Sequence, residues 1–363
     1  MPSPSVADSR QREVWTQYRE NLPRHLIGIA RHLQSQLMHS LTEDLGHRGL
    51  RLRFGPFLSW VGPRGCRLTT IRGGLGISKQ ACNQIANQIE RAGFIERRPT
   101  PEDGRGRIAV LTRQGRRLVE QAERLLASVE DAYRESIGKK TYRAFAAALD
   151  ALRAGLELPV PTANADSQMA PTHAARGLPL VAEEIQRRLR DRMIAKGHCG
   201  LKMSHGQVLP LIGLEGGRIG EIARVQEVSK QAISAIARDL EGQGYLQRSR
   251  DPVDGRGVLL TLTEAGEALI ADSVDAVGEL EDEFEAILGR AALDRLREPA
   301  QRLYQTLRLE EEIFGAPHAR EVAGARIDLE RLAQQLRTKL GGAGAGRLAG
   351  LLQMSAATGS RSQ

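Results

Sequence analysis

Ser78-Lys79-Gln80-Ala81 and, 151 residues later, Ser229-Lys230-Gln231-Ala232 each set a hydroxyl, an ammonium and a carboxamide in succession. A Ser hydroxyl at a helix start accepts a backbone N–H, and the positive helix end attracts phosphate. Gln and Asn pair bidentately with an adenine edge, while Lys reads guanine or phosphate. Helical spacing turns Lys79, Gln80, Asn83, Gln84 and Asn87 outward on the first helix, with Cys82, Ile85 and Ile89 buried. On the second it turns Lys230, Gln231, Ser234, Ala235 and Arg238 outward, with Ile233, Ile236 and Leu240 buried. Downstream, Asp103-Gly104-Arg105 and Asp254-Gly255-Arg256 have turn chemistry. An Arg at a loop tip can enter a narrow minor groove, and the Asp two residues before it can orient the guanidinium. Together these residues form a DNA reader, written twice. A merely solvated helix face with a chance surface turn would have to occur twice in the same context.

The elements that position these residues repeat as well. From His47/His198 to Leu118/Leu269 the two copies align without a gap, with 27 of 72 positions identical. A repeat this long is a duplicated domain rather than a solenoid period. Each copy reads as a winged helix-turn-helix. A first long helix starts near Pro23, with an apolar stripe of Leu26, Ile29, Leu33, Leu37 and Leu41. Its counterpart carries Leu180, Ile185, Leu189 and Met193, about one residue out of the later register. Helices over 54–61 and 204–212 follow, the latter with Ser204 as N-cap and Pro210 as a potential kink. Gly93 and Gly244 stop the reading helices before the wing strands, whose return legs are 108–112 and 258–263. Thr263 caps a long helix over 264–288, matched by 114–136, and terminal helices cover 139–156 and 291–313.

This organisation gives a polar lead-in (1–20, with a short helix around Trp15 and Tyr18) and a first domain (21–157). A Pro/Ala-rich linker (158–179), a second domain (180–315), a C-terminal helix (316–340) and a disordered tail (341–363) follow. The fold class is mainly α with small antiparallel β wings, two winged-helix repeats packing as an intramolecular pseudo-dimer.

The chain has 363 residues, 41% hydrophobic and 26% charged, with a net charge of +8 that favours a polyanionic partner. The charge is uneven. Residues 47–118 hold 15 Lys/Arg against 4 Asp/Glu, net +11, whereas 198–269 hold 8 against 9, net −1. No apolar run suits a membrane span and the first residues lack a secretion signal, so a cytoplasmic protein is expected. Cys66, Cys82 and Cys199 form no disulfide or zinc spacing. Cys82 belongs to the core, and Cys66 and Cys199, beside loops, are the more reactive thiols. His25, His32 and His39 recur at about 10.5 Å along one helix, too far apart to share a metal directly. No phosphate loop, zinc-protease pair or nucleophile elbow is present, so neither an enzyme, a metal nor a cofactor is expected.

Ser-Lys-Gln-Ala, the helix ending in Gly-Tyr/Phe-Leu/Ile, the Asp-Pro-x-Asp-Gly-Arg wing and Leu-Thr-x-x-Gly resemble the MarR family of bacterial transcription regulators. The resemblance covers 25–157 and 178–313. It implies that the first and last helices of each unit form a dimerisation platform, and that regulation works through operator binding, often relieved by a small aromatic effector. Copy one departs from the pattern: Arg72-Gly73-Gly74-Leu75-Gly76 replaces a helix-compatible stretch, Arg72 takes the place of Ala223, and Thr100 replaces the wing's first Asp. Glycine costs about 1 kcal/mol within a helix.

The expected partner is double-stranded DNA, recognised as an imperfect palindrome through Ser78, Lys79, Gln80, Asn83, Gln84, Asn87, Arg105, Ser229, Lys230, Gln231, Ser234, Arg238 and Arg256. Asp103 and Asp254 orient the wings, and the helix over 320–340 offers a surface for further self-association. The competing expectation is a protein-interaction scaffold in which one lobe alone still binds DNA.

Overall fold

Three long helices from each copy bury their apolar stripes against one another, and this shared layer carries two winged-helix lobes. The computed structural model describes residues 6–62, 65–99, 107–159, 174–202, 204–226, 228–252 and 257–310. The helix expected over 316–340, the tail, and most of the linker lie outside the described residues.

Copy one runs α1 (Val6–Arg19), α2 (Leu22–His39), a π-helical turn (Ser40–Asp44), α3 (Phe54–Ser59), β1 (Cys66–Arg67), α4 (Leu68–Leu75), α5 (Lys79–Arg91), β2 (Ile95–Pro99), β3 (Arg107–Leu111), α6 (Arg113–Ile137) and α7 (Lys139–Gly155). Copy two runs α8 (Ala174–Ala195), α9 (His205–Ile212), β4 (Gly217–Arg218), α10 (Ile219–Val225), α11 (Lys230–Gly242), β5 (Leu246–Arg250), β6 (Val258–Leu262), α12 (Glu264–Leu288) and α13 (Arg290–Thr306). Each lobe holds a three-stranded antiparallel sheet, ordered β1-β3-β2 or β4-β6-β5. Cys66 pairs with Ala109 and Gly217 with Leu260, while Ile95 pairs with Leu111 and Leu246 with Leu262, so the register itself repeats at 151 residues.

The platform core mixes both copies: Leu26 and Ile29 from α2, Phe145 and Leu152 from α7, Val181 and Ile185 from α8, Phe284 from α12, and Leu296 and Leu303 from α13. The pseudo-dimer is therefore one continuous core. Two crossed caps tie it. Glu130 of α6 is buried and accepts the Ala175 N–H at the start of α8 at 3.0 Å. Its counterpart Glu281 of α12 accepts the Leu22 N–H at the start of α2 at 3.1 Å. A carboxylate at a helix start satisfies an orphan donor and opposes the helix dipole.

Three expectations need correction. Residues 174–179, read as linker, belong to α8, where burial of Ala174, Ala175, Leu178, Val181 and Ala182 outweighs the N–H missing at Pro179. The α8 stripe consequently runs through Leu178, Val181 and Ile185, and Leu180 is only half-buried. Ser204 precedes α9 but makes no side-chain cap, having helical rather than extended backbone. Finally, α13 ends at Thr306, short of the expected 313, with Arg308 just beyond at φ 54°.

The one-residue slip between the platform helices and the lobes has a physical cause. Leu41 to His47 is six steps, whereas Met193 to His198 is five. The extra residue is absorbed by the π-helical turn, where the Leu45 N–H reaches back to the Ser40 carbonyl at 3.0 Å.

The polar lead-in has a role its composition does not announce. α1 packs along α12 of the other copy, and Trp15, 6% exposed, sits in the lobe-two core with Met193, Val208, Leu209 and Ile212. Arg19 donates to the Pro210 carbonyl at 2.6 Å and lies over the Trp15 ring at 5.5 Å, and Gln11 donates to Glu267 at 3.0 Å. α1 is a strap from copy one that completes lobe two.

Candidate nucleic-acid interface

The second helices of the two helix-turn-helix units, α5 and α11, are held in the same way. Ser78 and Ser229 cap them, each hydroxyl oxygen accepting the N–H of Ala81 or Ala232 at 3.1 Å. The buried line runs through Cys82, Ala86 and Ile89 in α5 and through Ile233, Ala237 and Leu240 in α11. Ile85 and Ile236, expected inside, are half-buried at its edge. An i, i+4, i+7 line places Ala at the closest approach, where its small side chain lets the helix settle on the lobe core. Lys79, Gln80, Gln84, Lys230, Gln231, Ala235 and Arg238 are exposed, and Asn83, Asn87 and Ser234 are half-buried.

A lock absent from copy one fixes α11. Asp239 accepts from Lys202 at 2.6 Å and contacts His205 Nε2 at 2.8 Å; these partners, Lys202 foremost, hold its carboxyl below the usual range. Phe54 and Gln88 occupy the positions equivalent to His205 and Asp239. Nothing in local spacing links residues 202, 205 and 239, so the sequence offered no signal beyond the repeat alignment itself.

The wings are set by Leu-Thr-x-x-Gly. Thr112 donates to the Gly93 carbonyl at 2.6 Å while accepting the Gly115 N–H at 3.0 Å, and Thr263 does the same with Gly244 and Gly266 at 2.5 and 3.1 Å. Each Thr thus ends the wing and starts the next long helix. A Cβ on Gly115 would meet the Phe94 carbonyl oxygen at 1.9 Å, and one on Gly266 the Tyr245 oxygen at 2.1 Å, so the motif's last position admits no side chain. Gly93 and Gly244 take φ +80° and +82° at the helix stops. At the base of wing two, buried Asp251 accepts from Arg218 Nε at 2.5 Å, and its N–H reaches the Gly257 carbonyl at 3.0 Å. The tips, with Asp103, Arg105, Asp254 and Arg256, lie outside the described residues.

The glycines of α4 do not prevent a helix. Gly76 ends it in the left-handed region, and a Cβ on Gly74 would meet the Trp60 indole at 2.1 Å. In copy two the corresponding residues are Leu211 and Val225. A large and a small residue have been exchanged for two of middle size. Gly74→Val is expected to cost about 1–3 kcal/mol by overpacking, and Trp60→Leu in the same chain to recover most of it. Urea denaturation of the single and double variants checks this, and strictly additive losses would disprove the pairing. Arg72 is exposed on α4, unlike buried Ala223, and adds a cation to the lobe-one surface.

The histidine series splits three ways. His25 is buried against Tyr304 (ring centroids 4.8 Å), and desolvation lowers it to about 4. His32 Nδ1 lies 2.9 Å from the Tyr133 hydroxyl, and His39 is exposed. Cys82 is buried as expected, whereas Cys66 is half-buried in β1 and burial raises its thiol, which disfavours the reactive thiolate. Cys199 is exposed. Among the described residues no helix is long and apolar enough to cross a membrane, and no cluster of three or more His, Cys, Asp or Glu could hold a metal.

The model of the MarR family matches residues 56–106 and 200–257, once in each lobe. Each half of the chain thus carries one segment that the MarR-family model matches. A relative, the uncharacterised HTH-type transcriptional regulator YdcH of Bacillus subtilis, is 32% identical over 64 residues, 18% of this chain and 44% of that protein. The chain thus spans less than half the length of this relative. Among solved structures, the transcriptional regulator Tm0710 of Thermotoga maritima is 21% identical with TM-score 0.29, covering 36% of this chain and 93% of that one. Disulfide-formed AbfR is 23% identical with TM-score 0.28 (38% and 92%), and apo MarR of E. coli 20% with TM-score 0.23 (46% and 98%). The two matched segments begin beside α3 and α9 and end in the wings, so they contain α5 and α11.

Proposed function

We propose that this chain is a transcription regulator supplying both lobes of a two-fold DNA reader from one polypeptide, and that it recognises an imperfect palindrome. The observation that carries the reading is the pair of identically capped helices, each with Lys and Gln exposed at its first two positions, in two lobes joined by one shared platform core. α5 and α11 enter successive major grooves, and Arg105 and Arg256 enter the flanking minor grooves. Ser78 and Ser229 direct helix N-termini to phosphate, and Lys79, Gln80, Asn83, Gln84, Asn87, Lys230, Gln231, Ser234 and Arg238 face base edges or backbone.

Footprinting on DNA upstream of the protein's own coding region tests this. Two protected half-sites about one turn apart, bound by one chain, are expected. Arg256→Ala and Arg105→Ala should each weaken binding by about 1–3 kcal/mol. Unchanged affinity in both variants would remove the wings from the mechanism. The charge asymmetry, +11 against −1, favours a second reading, a scaffold with DNA contact through lobe one alone. In that case Arg256→Ala leaves binding intact while Arg105→Ala does not.

An aromatic effector would also be part of this reading. A groove of about 360 Å³ opens between the α1–α2 corner and α12 and α13, lined by Gln17, Glu20, His25, Glu281, Arg297 and Gln301. Its one cation, Arg297, is held by Glu281 at 2.7 Å, so the groove favours a neutral or cationic ligand over an aromatic acid. Self-association through 320–340 is read by chain mass with and without that segment.

A further inference from the structure

We infer that the chain lies on its operator in one orientation, because its two reading helices share a frame yet present different base-reading groups. The inference rests on the DNA reading proposed above. The caps superpose in conformation, Ser78 at φ −66°, ψ 157° and Ser229 at φ −68°, ψ 148°, so equivalent residues leave the two helices in equivalent directions. The first two helical residues, Lys and Gln, are identical and exposed in both. One turn further on the outward positions diverge: Asn83 faces Ser234, Gln84 faces Ala235, and Asn87 faces Arg238 in the alignment.

Asn83 is engaged with its own helix, its amide nitrogen donating to the Lys79 carbonyl at 3.0 Å. Gln84 and Asn87 against Ala235 and Arg238 therefore carry the difference. A carboxamide fits the N6/N7 edge of adenine, a methyl fits only the apolar C5 methyl of thymine, and a guanidinium fits O6/N7 of guanine. The half-site under lobe one carries adenine at the two steps read by Gln84 and Asn87, and the half-site under lobe two carries thymine and then guanine at those read by Ala235 and Arg238. The steps read by the shared Lys and Gln are alike in both halves. The more basic lobe one also carries more of the salt dependence, since each neutralised phosphate releases counterions.

The test is selection of bound duplexes from a randomised pool by the full chain, as wild type, as Ala235→Gln/Arg238→Asn and as Gln84→Ala/Asn87→Arg. The wild-type consensus should have halves alike at the steps read by Lys and Gln and unlike at the two read by Gln84/Ala235 and Asn87/Arg238, with the adenine and guanine there each preferred roughly 5–150-fold. The first variant should convert the consensus toward a palindrome of lobe-one halves, and the second toward one of lobe-two halves. A palindromic wild-type consensus, or variants whose halves stay unlike at those steps, overturns the single orientation and leaves DNA reading intact. Absence of any enriched sequence for the wild type overturns the DNA reading and this inference with it.

Discussion

Replacing Trp15 by alanine is expected to destabilise lobe two by about 3–5 kcal/mol, the cost of removing a fully packed indole from a core. The residue lies in a segment that looks like a polar leader, yet it is 6% exposed among Met193, Val208, Leu209 and Ile212. The substitution also leaves Arg19 without the ring it covers, and Tyr18 without its edge-on neighbour at 5.6 Å. Hydrogen exchange gives the sharper readout. Amide protection should fall in α9, α10 and α12 and hold in α3, α4 and α5, because the strap touches one lobe. Protection unchanged in lobe two would refute the strap, and an equal loss in both lobes would mean that Trp15 acts through the platform.

The second large effect concerns the crossed caps. Glu130→Ala should cost roughly 3 kcal/mol, since hydrogen bonds to a charged group contribute about 1.5–3 kcal/mol each and part of this is offset by relieving a buried carboxylate. Glu130 is 1% exposed and accepts from the Tyr142 hydroxyl and the Ala175 N–H, each at 3.0 Å, with Arg134 at 3.4 Å. Burial, then the Glu130 carboxylate, drive the Tyr142 hydroxyl far above its ordinary range, so it remains a donor. Glu281, with its side chain 19% exposed, holds the Leu22 N–H and Arg297, and its loss should cost less. Urea midpoints at constant slope rank the two variants. A Glu281→Ala chain less stable than Glu130→Ala would contradict this account of the platform.

The helix-turn-helix and wing could be read in the sequence because their determinants are local. A Ser cap, a Gly stop and a Thr cap each act within about four residues, and the gapless repeat shows each of them twice. Hydropathy alone points to Ile85 and Ile236 for the buried line of α5 and α11, one position off Ala86 and Ala237, because hydrophobicity favours the larger residue while packing there needs the smaller. The start of α8 was hidden by Pro179, whose local cost is overridden by burial on the platform. The strap, the caps at Glu130 and Glu281, and the lock at Asp239 join residues that are far apart in sequence, so no periodicity could announce them. The exchange of Trp60 and Gly74 for Leu211 and Val225 is present in the alignment, but only the packing of Gly74 against the indole gives it a meaning.

The crossed design also sets a timetable for synthesis. Val6–Arg19 leaves the ribosome well before its docking surface on α9 and α12, which is made roughly 200–260 residues later. At about 5–20 residues per second, the Trp15 indole waits on the order of tens of seconds for its partners. During that wait Leu22 likewise lacks Glu281, and the apolar face of α2 lacks α8 and α13. The nascent first half is thus an unfinished surface that the second half alone can close, and any neighbouring nascent copy of the same chain presents that same second half as a competitor.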